Sequence, residues 1–147
     1  MTDQVRFTRV GLGNGLTPPS RGTPRAAGYD IRSAEEVVLE PGEIRLVGTG
    51  FAIELPDHLE CQVRPRSGLA LKHGITVPNS PGTIDPDYRG EVRIILQNLG
   101  RDPVRLERGE RIAQLVFARF EAPDLVEVDT LSETSRGAGG FGSTGTA

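Results

Sequence analysis

The sequence predicts an all-β sandwich or barrel carrying one short helix. Three observations lead there. Apolar residues recur with a period of two far more often than 3.6. Eleven prolines and nineteen glycines punctuate only 147 residues, so turns must be frequent and strands short. Only one stretch, SGLALKHG (67–74), has a leucine-rich body, basic residues in its last turn and a glycine stop.

The elements follow in order. The first 25 residues carry no motif, and GLGNGLTPPS (11–20) reads as a connection between strands. AAGYDI (26–31) opens a strand with Asp30 between apolar neighbours. EVVLE (36–40), EIRLVGTGFAIEL (43–55) and LECQVR (59–64) alternate as strands, divided by Pro41-Gly42 and Pro56-Asp57. The helix comes next, with Ser67 as its expected N-cap. NSPGTIDPDYRGEV (79–92) reads as a tight hairpin between GITV (74–77) and EVRIILQN (91–98). PVRLE (103–107), RIAQLVFARF (111–120) and LVEVD (125–129) are the remaining expected strands. Residues 1–130 are expected to form the β domain, and 131–147 a flexible glycine-rich arm.

Composition narrows the function. The net charge of −3 supplies no bulk basic field for nucleic acid. No apolar run approaches a membrane span, and the N-terminus lacks a signal-peptide core, so a cytoplasmic protein is expected. A single cysteine, Cys61, excludes an internal disulfide. Of the seventeen basic residues, all but Lys72 are arginine, a residue suited to forked contacts with phosphate. His58, Cys61 and His73 do not have metal-ligand spacing. The tail contains Gly137, Gly139 and Gly142 as G-x-G-x-x-G, but neither a preceding strand nor a following helix, so it is no dinucleotide fingerprint.

Four stretches have the residue types for chemistry, and each also has a plain structural reading. In PRSGLA (65–70), a helix start beside Arg66 suits an anion; it is also an ordinary capped helix. In NSPGTIDPDYRGEV, Asp85 lies between Ile84 and Pro86. A carboxylate in partly apolar surroundings keeps raised basicity and can deprotonate water. Tyr88, three residues on, offers a ring that can stack on a sugar; both residues can equally serve only the turn. Asp30 reads as a turn aspartate, and Gln114 as a solvated strand residue.

Taken jointly the stretches say more. AGYDI (27–31), PRSGLALKHGI (65–75), NSPGTIDPDYRGEV (79–92), RGERIAQLVF (108–117) and RGAGGFGSTG (136–145) resemble, in order, the five motifs of the trimeric dUTPase family. The resemblance implies a jelly-roll-like β fold and a homotrimer with three active sites at subunit interfaces. It implies hydrolysis of dUTP to dUMP and pyrophosphate, with Mg²⁺ held mainly by the triphosphate and no direct protein ligand.

The resemblance also implies roles. Asp85 would orient and deprotonate the water that attacks the α-phosphorus. Tyr88 would lie under the deoxyribose, where a ribose 2′-OH would clash. Asn79 and the backbone of Gly82, Thr83 and Ile84 would read uracil, with Arg93 near the far wall. Arg66, Ser67 and Gly68 would cradle phosphates, and Gln114 would bind phosphate or water. Asp30 would act through water near the metal or the arm. Arg136 would clamp the γ-phosphate, Phe141 would cover uracil, and Gly142, Ser143 and Thr144 would meet the terminal phosphate. Thr83, where the family often has an aliphatic residue, and Pro86, which stiffens the turn, are the departures.

Three other readings compete. A dCTP deaminase-like enzyme shares the fold but lacks the glycine-rich arm. A non-catalytic nucleotide-binding trimer would not need Asp85, Tyr88 and Arg136 together. An RNA-binding reading of the tail rests on one arginine in an acidic chain.

Overall fold

The computed structural model describes residues 3–146. Ten strands and one helix follow in chain order: β1 (Arg6–Arg9), β2 (Tyr29–Arg32), β3 (Val37–Leu39), β4 (Ile44–Glu54), β5 (Leu59–Arg64), α1 (Ser67–His73), β6 (Ile75–Thr76), β7 (Gly82–Ile84), β8 (Glu91–Asn98), β9 (Val104–Leu106) and β10 (Arg111–Arg119). They form a sheet of order β1-β4-β8-β6, a second of order β2-β10-β5-β7, and the pair β3-β9. Every pairing is antiparallel.

The sandwich follows from alternation. In β8, Val92, Ile94, Leu96 and Asn98 are buried while Arg93 is exposed and Ile95 and Gln97 are half-buried. Val47 and Ile53 of β4 join them from the same sheet; Ile31, Cys61, Val63, Ala113 and Leu115 close the core from the other. The β3-β9 pair adds Val37, Leu39, Val104 and Leu106. Full burial of each such Val, Leu or Ile side chain contributes roughly 1.5–3 kcal/mol. No helix among the described residues is long and apolar enough to cross a membrane.

Two local devices set the frame for the site. The β4–β8 register breaks between Gly48 and Ala52. There Gly50 adopts φ 76°, and a Cβ on Gly13 would overlap its carbonyl oxygen, so the 11–16 connection lies directly on the bulge. At the end of β8, buried Asn98 donates Nδ2 to Leu39 O (3.0 Å) and Asp102 O (2.8 Å), and its Oδ1 accepts from Gly100 N (2.8 Å). This amide ties the main sheet to the β3-β9 pair.

Three sequence expectations are corrected. The helix-stop at Gly74 holds, with φ 69° and its N–H on Ala70 O, but Arg66 occupies the N-cap position and no side chain caps α1. Ser67 is the first helical residue, because Arg66 is still extended (φ −94°, ψ 130°). The hairpin at 79–92 is not tight. GITV does meet EVRIILQN, through Ile75↔Asn98 and Thr76↔Gln97, but the loop between them crosses to the other sheet, where β7 pairs with β5. Pro78, Pro81 and Pro86 lack the N–H a continuous ladder needs. LVEVD is no strand: Leu125, Val126 and Val128 are exposed, and no strand among the described residues pairs with them. Alternation supplies the face, but pairing needs a neighbour.

Beyond β10 the described chain is exposed except at Gly139 and Gly140. Residues 134–145 curl into successive turns, with Gly137 N on Thr134 O, Gly139 N on Arg136 O, Ser143 N on Gly140 O and Gly145 N on Gly142 O.

Candidate active site

The first cluster is built by β7, the loop after it and β8. Asn79, Thr83, Ile84, Asp85, Tyr88 and Arg93 line one cleft of about 530 Å³, floored by Val63, Val92 and Ile95. Gly82 lies at its edge: it is buried, and a Cβ there would press on Asn79 Nδ2 and Val63 Cβ, each at 3.2 Å. Asp85 closes a turn in which its carbonyl accepts from Tyr88 N (3.2 Å). Its side chain is exposed, so the apolar enclosure expected from Ile84 and Pro86 is not supplied by this chain alone. The neighbours are apolar along the sequence; the loop turns the carboxylate outward.

Tyr88 donates its hydroxyl to Glu91 O at 2.9 Å, and a Cβ on Gly90 would overlap the phenol. The ring is therefore laid on a glycine and tied at its far end. Arg89 binds Pro86 O and Tyr88 O and reaches Glu54 at 3.6 Å, which fastens the loop to the end of β4. Glu91 accepts from Gly50 N at 2.9 Å and pairs with Arg93 Nε at 3.3 Å. Gly90, Glu91 and Arg89 were missed in the sequence. Gly90 at a strand entry next to an aromatic was the one available signal.

A second cluster sits where β2, β10 and the start of α1 meet. Asp30 is shared between Arg66 (Nε, 3.4 Å) and Arg111 (Nη1, 3.3 Å). Gln114, paired with Asp30 in the β2–β10 register, donates Nε2 to Pro65 O at 3.0 Å and covers Gly28 so closely that a Cβ there would overlap it. Gln114 is thus no solvated strand residue: it holds the entry to Arg66, Ser67 and Gly68. Ser67 and Gly68 are exposed beside it. Arg111 is a further residue the sequence reading did not single out.

The arm forms a third group. Arg136 donates Nε to Gly139 O at 2.8 Å, and Phe141 is fully exposed at φ 52° with Gly142, Ser143 and Thr144 exposed after it. Every hydrogen bond of residues 134–145 is internal to the arm among the described residues. So one chain brings the six cleft residues together, and separately gathers Asp30, Arg66, Ser67, Gly68 and Gln114, but joins neither group to Arg136–Thr144.

No group of three or more His, Cys, Asp or Glu side chains converges on a metal site among the described residues. Asp30, the carboxylate between Arg66 and Arg111, has both oxygens engaged by guanidinium groups. This donor set does not fit a protein-held divalent cation.

A family model described as dUTPase matches residues 16–145. The deoxyuridine 5′-triphosphate nucleotidohydrolase of Solibacter usitatus is 53% identical over 142 residues, covering 97% of this chain and 96% of the relative. That of Rickettsia felis is 55% identical over 129 residues, covering 86% and 87%. Among solved structures, a variant dUTPase of Staphylococcus bacteriophage 80alpha with dUpNHpp superposes at TM-score 0.90 and 30% identity, over 99% of this chain and all of that one. A variant dUTPase of phage phi11, described as revealing coordination of a structural Mg(II) ion, superposes at 0.81 and 25% identity over 89% of this chain and all of that one.

Proposed function

The chain belongs to the dUTPase family and hydrolyses dUTP to dUMP and pyrophosphate in nucleotide metabolism; we propose how its residues divide that work. The observation that carries the division is the single cleft lined by Asn79, Thr83, Ile84, Asp85, Tyr88 and Arg93. The narrow strand β7 presents backbone groups to the uracil edge. The Tyr88 ring, held on Gly90, lies under the deoxyribose and leaves no room for a 2′-hydroxyl. Asp85 takes a proton from water as that water attacks the α-phosphorus, and pyrophosphate leaves.

Phosphoryl transfer depends on placement and neutralised charge. Arg66, Ser67, Gly68 and Gln114 receive the phosphates. The arm, residues 131–147, closes over the base and the terminal phosphate, with Phe141 on uracil and Arg136 on the γ-phosphate. Closure also gives Asp85 the dry surroundings it lacks in the open chain. Because the three groups do not meet within one chain, we assign the site to a homotrimer in which neighbouring copies supply them. Exposed Leu125, Val126, Val128 and Leu131 are then covered by a neighbouring copy. Mg²⁺ carried by the triphosphate would supply charge neutralisation to its oxygens, with no side chain of this chain as a direct ligand. Solved neighbours carrying dUpNHpp fit this assignment of the substrate. Nucleotide-pool chemistry and the reduced Cys61 suit the cytoplasm, where we place the protein. The family assignment decides against the deaminase-like reading.

The test is Asp85→Asn. It keeps the size and shape of the side chain but removes the base. Binding of dUpNHpp stays within about threefold and pyrophosphate release falls by three orders of magnitude or more, roughly the upper range for a general base. Near-normal turnover in that variant would sink the assignment.

A further inference from the structure

The cluster on Asp30 has more positive charge than the proposed cradle uses. Arg66 spends Nε on Asp30 and Nη1 on Arg111 O at 3.3 Å. Its Nη2 has no partner among the described residues. Arg111 spends only Nη1, on the other oxygen of Asp30, which leaves Nε and Nη2 free. The two guanidiniums thus stand side by side on one carboxylate, each with an unused donor edge. Arg66 and Arg111 also line a cavity of about 430 Å³ together with Arg32, Arg108 and Glu110. Four cations against one lining carboxylate leave a positive space that Asp30 compensates only in part. The Nε of Arg32 is buried with no hydrogen-bond partner among the described residues.

Two like charges this close repel unless something negative lies between or in front of them. Asp30 fills the first place. The free edges leave the second open to an anion with several oxygens, which forked donors suit. We propose that Arg111 is a second phosphate-binding arginine of the active site, held beside Arg66 by Asp30 acting as a positioning residue. This rests on the reading of Arg66 as part of the phosphate cradle. It gives Asp30 a role different from the water-mediated metal contact that the family resemblance implies.

The two roles of Asp30 make opposite demands on anion binding. A carboxylate that merely neutralises its neighbours opposes an incoming anion, so its removal tightens binding. A carboxylate that aims two guanidiniums loses the binding geometry when it is removed.

The experiment measures the affinity of inorganic tripolyphosphate and of dUpNHpp by calorimetry on the full chain. The variants are Arg111→Ala, Asp30→Asn and Arg66→Ala. Arg111 is half-exposed, so its truncation leaves the fold intact, and thermal melting checks each variant. The expected result is a ten- to hundredfold loss of tripolyphosphate and dUpNHpp affinity in Arg111→Ala, the range for one charged hydrogen-bonded contact. Asp30→Asn weakens both by at least threefold, and deoxyuridine binding is unchanged in every variant. Unchanged affinity in Arg111→Ala alongside weakened Arg66→Ala would overturn the proposal and leave the cradle standing. Tighter binding in Asp30→Asn would overturn the positioning role. If Arg66→Ala is itself without effect, the cradle reading falls, and the proposal with it.

Discussion

Gly90→Ala displaces the Tyr88 ring, the proposed sugar platform, without replacing any side chain assigned to the substrate. A Cβ at Gly90 would stand 2.6 Å from Tyr88 Cζ and 3.0 Å from Cε2, besides overlapping the hydroxyl. Carbon atoms rest about 3.5–4.0 Å apart, so the ring must shift by roughly 1 Å. Gly90 has no positive φ, so alanine itself is unstrained and the whole effect passes through Tyr88. The shift breaks or bends the Tyr88–Glu91 hydrogen bond, worth about 0.5–1.5 kcal/mol, at an exposed position where stability hardly depends on it. A misplacement of about 1 Å near a reacting centre costs up to about 10²-fold in rate. The prediction is a ten- to hundredfold fall in kcat/KM for dUTP. UTP falls less, because the displaced ring no longer excludes the 2′-hydroxyl. Pyrophosphate release measured on both nucleotides gives the two ratios, with melting temperature as the control. Unchanged dUTP kcat/KM in a folded Gly90→Ala enzyme would refute the platform argument.

Three further outcomes follow from the same structure. Asn98→Ala leaves Leu39 O, Asp102 O and Gly100 N without their partner in the interior, and urea titration should show a loss of about 2–4 kcal/mol. Burial pushes the Cys61 thiol up from 9.0 to about 12, with the Glu60 charge adding to it. The folded state therefore holds this proton more tightly than the unfolded chain. Its contribution is complete below pH 9 and is lost as pH rises from 9 to about 12. Between pH 8 and 10.5 the wild type should lose about 2 kcal/mol more than Cys61→Ala, and equal losses would contradict the buried thiol. Deleting residues 136–147 should leave circular dichroism and melting unchanged, since among the described residues the arm's hydrogen bonds are internal to it, while dUTP turnover drops at least a hundredfold.

The long strands were legible because burial on one face forces alternation. β8 shows it over all eight of its residues, β4 and β10, of eleven and nine residues, show it in part, and all three are inner strands of their sheets. β1 was not legible: RFTR holds one apolar residue, all four positions are exposed, and only pairing with β4 defines it. LVEVD failed the other way, since it has the alternation but no partner in its own chain. In the site, Asp85, Tyr88 and Asn79 were legible as a motif, and the fold places them in one cleft. Their supports were not. Glu91 meets Gly50 across 41 residues, and Arg111 meets Asp30 across 81. Such contacts depend on register, which no local pattern encodes.

Subunit mixing tests the central claim most directly. Asp85→Asn chains keep the arm and lack the base; chains ending at residue 135 keep the base and lack the arm. Each is inactive alone. If a site takes Asp85 from one copy and the arm from another, co-refolded mixtures recover a substantial fraction of wild-type pyrophosphate release from dUTP. If each arm closes over the cleft of its own chain, no mixture exceeds the two parents, and the shared-site account is wrong.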